Sequence, residues 1–161
     1  MYELYRDDDI SVTTDIILFK QVNDLFIKHN KIHTCAVQMA GLWDNKEIWY
    51  LLNLHSNIEV GLHCWEHVDY SKLAYDEIVK DINKCLDYWN TKCAKSFGKD
   101  KAKKINTLFP PWNAISPELE KACNDRGLKL DARIGPPVYN FHYWSCINPD
   151  KMKGLEINLQ R

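Results

Sequence analysis

His63 and His67 stand four residues apart in Gly61-Leu62-His63-Cys64-Trp65-Glu66-His67, directly after a run of strand character. A neutral imidazole is a common ligand for a transition metal, and this spacing brings two of them to one side where the backbone turns helically. Two ligands leave a site incomplete. A catalytic ion usually takes a third protein ligand and keeps a position open, so a carboxylate elsewhere in the chain has to converge on the pair. The triplet Asp7-Asp8-Asp9 is the evident source. Each piece has an ordinary reading when taken alone. With six histidines in 161 residues, a pair at this spacing carries little weight by itself. A lone histidine is more often a satisfied core or surface residue, and an acid triplet is more often a loop. A site forms only if the elements around them bring them together.

Those elements alternate. Residues 2–6 read as a short strand running into the three acids, which are expected at its carboxyl end because a cluster so acidic is costly within a sheet. Thr14-Asp15 starts a helix whose apolar positions Ile16, Phe19, Val22 and Phe26 carry it to about His29-Asn30. Residues 32–39 form a second strand closed by Ala40-Gly41. Residues 42–57, with Trp43, Trp49, Tyr50 and His55, read as a loop with partial structure. Residues 58–62 are the third strand.

After the two histidines, Asp69 or Ser71 is placed to cap a long helix with Tyr75, Ile78, Val79, Ile82, Cys85, Leu86 and Trp89 at 3.6-residue spacing. Residues 92–104 carry six lysines with a single aromatic, Phe97, among them and no glycine-rich cradle, and read as a solvated face rather than a phosphate site. Residues 105–109 form a strand leading to Pro110-Pro111-Trp112-Asn113. Ser116-Pro117-Glu118 opens a helix that Gly127 ends. Residues 128–133 are a further strand, Gly135-Pro136-Pro137 breaks the pattern, Phe141-His142-Tyr143-Trp144 is an aromatic loop, and residues 155–159 close as a last strand. Alternation of this kind predicts a parallel α/β fold.

Composition bounds the partners. The length of 161 residues suits one domain spanning 1–161. A net charge of −1 gives no bulk reason for a nucleic-acid or membrane partner. The six cysteines (Cys35, Cys64, Cys85, Cys93, Cys123, Cys146) show no paired spacing and are expected reduced and buried. The first residues lack the basic and apolar regions of a signal peptide, which favours a cytoplasmic protein, although a removed leader would leave the same start. Aromatic residues make up 12% of the chain, and besides packing the core such rings wall sugar-binding clefts.

In a parallel α/β fold, the carboxyl ends of the strands gather binding groups on one face. Asp8-Asp9, His63 with His67, and Pro111-Trp112 all fall there. One carboxylate with two imidazoles can hold a divalent ion, while a second, uncoordinated carboxylate takes a proton from water. At these residues the chain resembles the polysaccharide deacetylases with the NodB-homology domain, carbohydrate esterase family 4. The likeness rests on an Asp-Asp pair after the first strand, a His-x-x-x-His motif and a Pro-aromatic segment, in that order over roughly residues 1–135. It implies a distorted, short (β/α) barrel with parallel strands and removal of an N- or O-acetyl group from a carbohydrate or N-acyl sugar. The implied bond is a C–N amide outside peptides. By the resemblance Asp8 is the base. Asp9, His63 and His67 hold one divalent transition metal, zinc first, with cobalt, nickel or iron also suited. Pro111 and Trp112 line the acetyl and sugar pocket.

The chain departs from the family pattern in three places. Asp7-Asp8 is an alternative register for the acid pair. Phe109 stands where the family has an arginine that orients the base, and Arg6, grouped with Pro111 and Trp112 around the substrate, is the candidate replacement. The family's late histidine, an acid toward the leaving amine, has no clear counterpart; His142 is the late-chain imidazole that could replace it. Two rivals use the same residues. A catalytically silent, metal-containing carbohydrate-binding domain suits the missing acid, and His63-Cys64-Trp65-Glu66-His67 also spells the H-x-x-E-H zinc-peptidase signature, which needs its histidines and glutamate on a regular helix.

Overall fold

The first strand, β1 (Leu4–Ile10), runs straight through the acid triplet instead of ending before it. The computed structural model describes residues 3–99 and 101–161, so the expected strand start at Tyr2 lies outside the described residues. Three acids are tolerated within a strand because each carboxylate is matched: Asp7 to His33, Asp8 to Arg6, and Asp9 to Gln38 and the two histidines. The cost of burying unpaired charge, which argued for a strand ending earlier, is offset side chain by side chain.

β1 lies beside β2 (His33–Gln38), and β2 beside β3 (Ile58–Cys64). Beyond β3 come β4 (Thr107–Leu108) and β5 (Lys129–Leu130), while β6 (Val138–Phe141) flanks β1 on the other side. All pairings are parallel, and the order is β5-β4-β3-β2-β1-β6. The parallel pairing is the one the alternating pattern predicts, and the sheet curls into the distorted, partial (β/α) barrel that the resemblance implies.

Among the described residues four α-helices connect strands and a fifth follows the last strand. α1 (Ile16–Lys28) is capped by Asp15, whose side chain accepts from the backbone N–H groups of Ile17 and Leu18, and it buries Phe19, Val22 and Phe26 as its spacing predicts. α2 (Lys46–Leu54) fills the segment expected to be a loop: Asn45 caps it, and Ile48, Trp49 and Leu52 form its buried face. α3 (Tyr75–Phe97) starts later than expected. Asp69 instead caps a single 3₁₀ turn at Tyr70–Lys72, and the Glu77 side chain accepts from the Ala74 N–H at the helix start. α4 (Pro117–Asp125) opens on Ser116 and Pro117 as read.

The last strand expected at residues 155–159 is instead part of α5 (Pro149–Leu159). Asn148 caps it and Pro149 occupies its first turn, the same start signal that Ser116-Pro117 gives for α4. The sixth strand lies earlier, at Val138–Phe141, within the stretch read as breaker and aromatic loop. The six cysteines are all buried and free. Within the lysine-rich segment, Lys103 is half-buried, and its ammonium donates to the carbonyls of His55 and Ile58 rather than to water.

Candidate metal centre

β1 alternates its side chains across the sheet. Arg6 and Asp8, two residues apart, share one face, while Asp7 takes the other. Asp7 is fully buried; its carboxylate faces His33 Nε2 at 3.1 Å and accepts from the Tyr143 backbone N–H at 2.7 Å. Burial pushes the Asp7 carboxyl above its usual range, with His33 opposing. On the opposite face the Arg6 guanidinium meets Asp8 in a two-pronged pair, Nε to Oδ1 at 2.7 Å and Nη2 to Oδ2 at 2.9 Å. Nη2 also donates to Asn113 Oδ1 at 2.7 Å, and the guanidinium lies 5.0 Å from the centre of the Phe109 ring. Phe109 reaches that position because Gly61 on β3 has no side chain: a Cβ there would come within 2.3 Å of the ring.

At Asp9 the strand leaves regular register, and φ is +67°. The turn aims the carboxylate across the strand ends. Oδ1 lies 3.3 Å from His63 Nε2 and 3.2 Å from His67 Nε2, and it accepts from Gln38 Nε2 at 2.9 Å. One donor atom from each of Asp9, His63 and His67 falls within 4.8 Å of the others. The two rings are 5.2 Å apart. They are not brought together by a helix. Past β3 the chain stays bonded beside the end of β2, with the Met39 and Ala40 N–H groups donating to the Cys64 and Trp65 carbonyls, and then bends to return His67. Glu66 sits exposed in that bend.

The donor set suits a divalent transition metal. His63 Nδ1 lies 2.6 Å from the Phe109 carbonyl oxygen, which can only accept, so Nδ1 carries the proton and Nε2 presents its lone pair toward Asp9. When His63 instead carries a proton on both nitrogens, its hydrogen bond is the main influence holding the Asp9 carboxyl down at about 2, burial opposing. Burial lowers the His67 pKa, Asp9 opposing, which favours its neutral, ligating form. An anionic oxygen and imidazole nitrogens converging in this way match ions that accept mixed nitrogen and oxygen ligands.

Above this cluster lie Trp112 and His142. The Trp112 ring is 64% exposed and meets the His67 ring edge-on at 4.2 Å. His142 Nδ1 is 3.5 Å from Asp9 Oδ2, and its ring stacks on Trp144 at 4.7 Å. Four non-glycine residues have positive φ among the described residues: Asp9, Trp112, Asn113 and, away from the site, Asn30. The left-handed conformation costs an ordinary residue roughly 1–3 kcal/mol. Here it aims Asp9 at the histidines, Trp112 at His67 and Asn113 at Arg6.

The structure brings together Asp8, Asp9, His63, His67, Trp112 and His142. It places Asp9, not Asp8, against the histidines, and sends Asp7 into the core. Two residues grouped with the substrate wall sit elsewhere. Arg6 is fully buried beneath Asp8, so it orients that carboxylate and touches no ligand. Pro111 is buried in the turn that presents Trp112. Gln38 and Asn113 escaped the sequence reading. Gln38 lies at the carboxyl end of β2, the position that drew attention to the other strands, and Asn113 directly follows Trp112.

No protein-family model matches the sequence, and no curated protein matches it. Solved structures match its fold. A family 4 carbohydrate-esterase pseudoenzyme from Bacillus anthracis aligns at 16% identity and TM-score 0.70, over 98% of this chain and 61% of that one. A peptidoglycan deacetylase from Bacillus subtilis aligns at 18% identity and TM-score 0.71, over 98% of this chain and 82% of that one. A family 4 carbohydrate esterase from Streptomyces lividans, in complex with acetate, aligns at 14% identity and TM-score 0.71, over 98% and 87%. The chain thus spans about three fifths of the pseudoenzyme's length. At these identities the likeness is one of fold: the chain has the distorted (β/α) barrel of the NodB-type polysaccharide deacetylases.

Proposed function

We propose that this chain, folded as the family 4 carbohydrate esterases are, is a metal-dependent hydrolase that removes an acetyl group from a carbohydrate nitrogen or oxygen. The observation that carries the reading is the neighbouring pair of carboxylates with different surroundings: Asp9 faces two imidazoles, while Asp8 is held by an arginine and stays clear of them. Asp9, His63 and His67 would hold the ion, zinc first. When bound, a divalent ion supplies Lewis acidity to the acetyl carbonyl and to water.

The chain's own residues do the rest. Asp8 accepts the proton of the attacking water, with Arg6 fixing the direction of its lone pairs. The exposed Trp112 ring offers an apolar wall beside His67 for the acetyl methyl group and the sugar ring. His142 is the proton donor to the leaving nitrogen, since its imidazole lies at the edge of the cluster. Support for carbohydrate as the substrate class comes from the solved structures of this fold, which include a peptidoglycan deacetylase and carbohydrate esterases. The peptidase alternative needs a helix through His63, Glu66 and His67; that segment is the end of a strand followed by a bend.

The test is acetate release from N-acetylated oligosaccharides, combined with elemental analysis. The wild-type protein, dialysed and reloaded with zinc, is expected to retain one ion per chain and release acetate. His63→Ala and His67→Ala are expected to lose both. Metal retained at the wild-type level in both variants would overturn the assignment of the ligands, and a fully loaded wild type inert toward amides and esters would favour a silent binding domain.

A further inference from the structure

In sequence the lysines of residues 92–104 have only Phe97 among them, but the fold brings further aromatic rings to them. Trp43, on the loop leaving the carboxyl end of β2, is met by three ammonium groups: Lys46 Nζ at 2.9 Å from the ring centre, Lys92 at 4.4 Å and Lys95 at 4.8 Å. Lys92 also lies 5.5 Å from the Tyr88 ring. Tyr88 in turn donates nothing to a carboxylate; its hydroxyl accepts the Trp43 backbone N–H at 2.9 Å, and its ring packs edge-on against Trp65 at 5.2 Å. Lys84 Nζ lies 3.8 Å from the Trp65 ring. Trp65 falls between His63 and His67 in the chain, so the covalent chain and the Trp65–Tyr88 and Tyr88–Trp43 contacts connect the metal cluster to Trp43.

Charge around these rings is unbalanced. The lysine ion pairs among the described residues are those of Lys28, Lys31, Lys72, Lys121 and Lys129; Lys46, Lys84, Lys92 and Lys95 form none. An aromatic face attracts each ammonium, but it carries no net charge, so among the charges that act on Lys46 only Asp44 opposes the repulsion from Lys92 and Lys95. Desolvation lowers the Lys46 pKa, with Asp44 opposing and Lys92 and Lys95 adding their repulsion. The chain as a whole carries −1, so the cluster is a local feature and not a consequence of bulk charge. Trp43 is itself fixed from behind, its indole N–H donating to Ser96 Oγ at 3.0 Å. Held this way, the three ammonium groups are presented together at an anchored ring.

We infer that the Lys46-Lys92-Lys95 cluster on Trp43 binds an anionic group of the carbohydrate chain whose acetylated sugar lies at the metal cluster, so that the substrate is an acidic rather than a neutral glycan. This rests on the proposed deacetylase reading for the carbohydrate, and on the lysine geometry alone for the anion. The link through Tyr88 and Trp65 favours a glycan over a nucleic acid, because it ties the lysine cluster to the segment that carries His63 and His67.

The probe pair is an oligosaccharide of alternating N-acetylglucosamine and glucuronate, set against a neutral N-acetylglucosamine oligomer of equal length. Binding is measured by calorimetry to the zinc-loaded chain and to Lys46→Gln/Lys92→Gln/Lys95→Gln. The acidic oligosaccharide is expected to bind wild type about tenfold more tightly at low salt, an advantage that fades as salt screens exposed charge. The triple variant is expected to lose that advantage while keeping its zinc and its affinity for the neutral oligomer. Equal affinity of wild type for both probes, or an undiminished preference in the triple variant, overturns the inference. So does duplex DNA of matched charge that displaces the acidic oligosaccharide as effectively as the oligosaccharide itself. If wild type releases no acetate from either probe yet binds the acidic one through these lysines, the deacetylase reading fails and the anion site stands.

Discussion

The two halves of the sheet are built differently and hold different parts of the site. β1, β2 and β3 are seven, six and seven residues long, lie side by side and supply Asp8, Asp9, Gln38 and His63 directly from the strands. β4 and β5 have two residues each and β6 has four, and what they contribute comes from the loops that follow: Trp112 and Asn113 after β4, His142 after β6. Side chains on paired strands are held by the sheet, whereas those on loops are held by local turns and by single hydrogen bonds. On the proposed reading, the base Asp8 and the ligands Asp9 and His63 belong to the strand-borne half, His67 to the bend after β3, and Trp112 and His142 to the half carried by loops. Changes in the first half are expected to cost folding or the whole activity; changes in the second are expected to alter which acyl compounds are cleaved.

The largest effect is expected at Arg6, where both faces of the argument meet. Arg6→Met removes the guanidinium and leaves the Asp8 carboxylate in a nearly closed site. Breaking a buried pair by deleting one partner costs about 3–5 kcal/mol. Denaturant unfolding should show that loss, and Arg6→Met combined with Asp8→Leu should recover part of it. A loss under about 1 kcal/mol would mean that the strand-borne half does not depend on this pair.

Asp8→Asn comes next, and it separates the base from the ligands. The metal content should stay at the wild-type level, since Asp8 stands apart from the Asp9-His63-His67 cluster, while acetate release falls by about 10²–10⁴-fold, as for loss of a general base. Loss of metal from this variant would move Asp8 into the ligand set and undo the division of labour between the two carboxylates.

His142→Ala probes the loop half. An alcohol leaves without a strong proton donor more easily than an amine does, so amide cleavage should fall by roughly 10²-fold while cleavage of an activated acetyl ester stays near wild type. An unchanged ratio of amide to ester turnover removes His142 from the donor role.

Much of the first half was legible in sequence. The spacing of His63 and His67, the acids of β1 and the apolar runs of β2 and β3 all follow from residue type and period. The placement of the acid triplet inside β1 was not legible, because the penalty for burying it is cancelled by Arg6, by Gln38 on β2 and by His33, the latter two some thirty residues away in the chain or nearer. In the second half the start of α4 was legible, while the same Pro-after-cap signal at Asn148-Pro149 was obscured by the apolar residues Leu155, Ile157 and Leu159, whose alternation imitates a strand. The strands read at residues 105–109 and 128–133 are present as β4 and β5, each shortened to two residues. The role of Arg6 as support for Asp8 was visible as a two-residue spacing on a strand, but its full burial was not.

The smallest effect is expected at Glu66, and it tests whether the bend after β3 does chemistry or only returns His67 to the cluster. In an H-x-x-E-H peptidase the glutamate is the general base, and losing it costs about 10²–10⁴-fold. Here Glu66 is exposed, follows the end of a strand and lies on no helix that would aim it at the histidines. The carboxylate proposed as the base is Asp8, which accepts two hydrogen bonds from Arg6. Glu66→Gln should therefore change acetate release by less than about tenfold, well below the loss of a general base, and leave the metal content unaltered. A loss comparable to that of Asp8→Asn, accompanied by peptide cleavage in the wild type that this variant lacks, would hand the base to Glu66. The barrel would then carry a peptidase site, and Asp8 with Arg6 would be a buried pair that serves the fold alone.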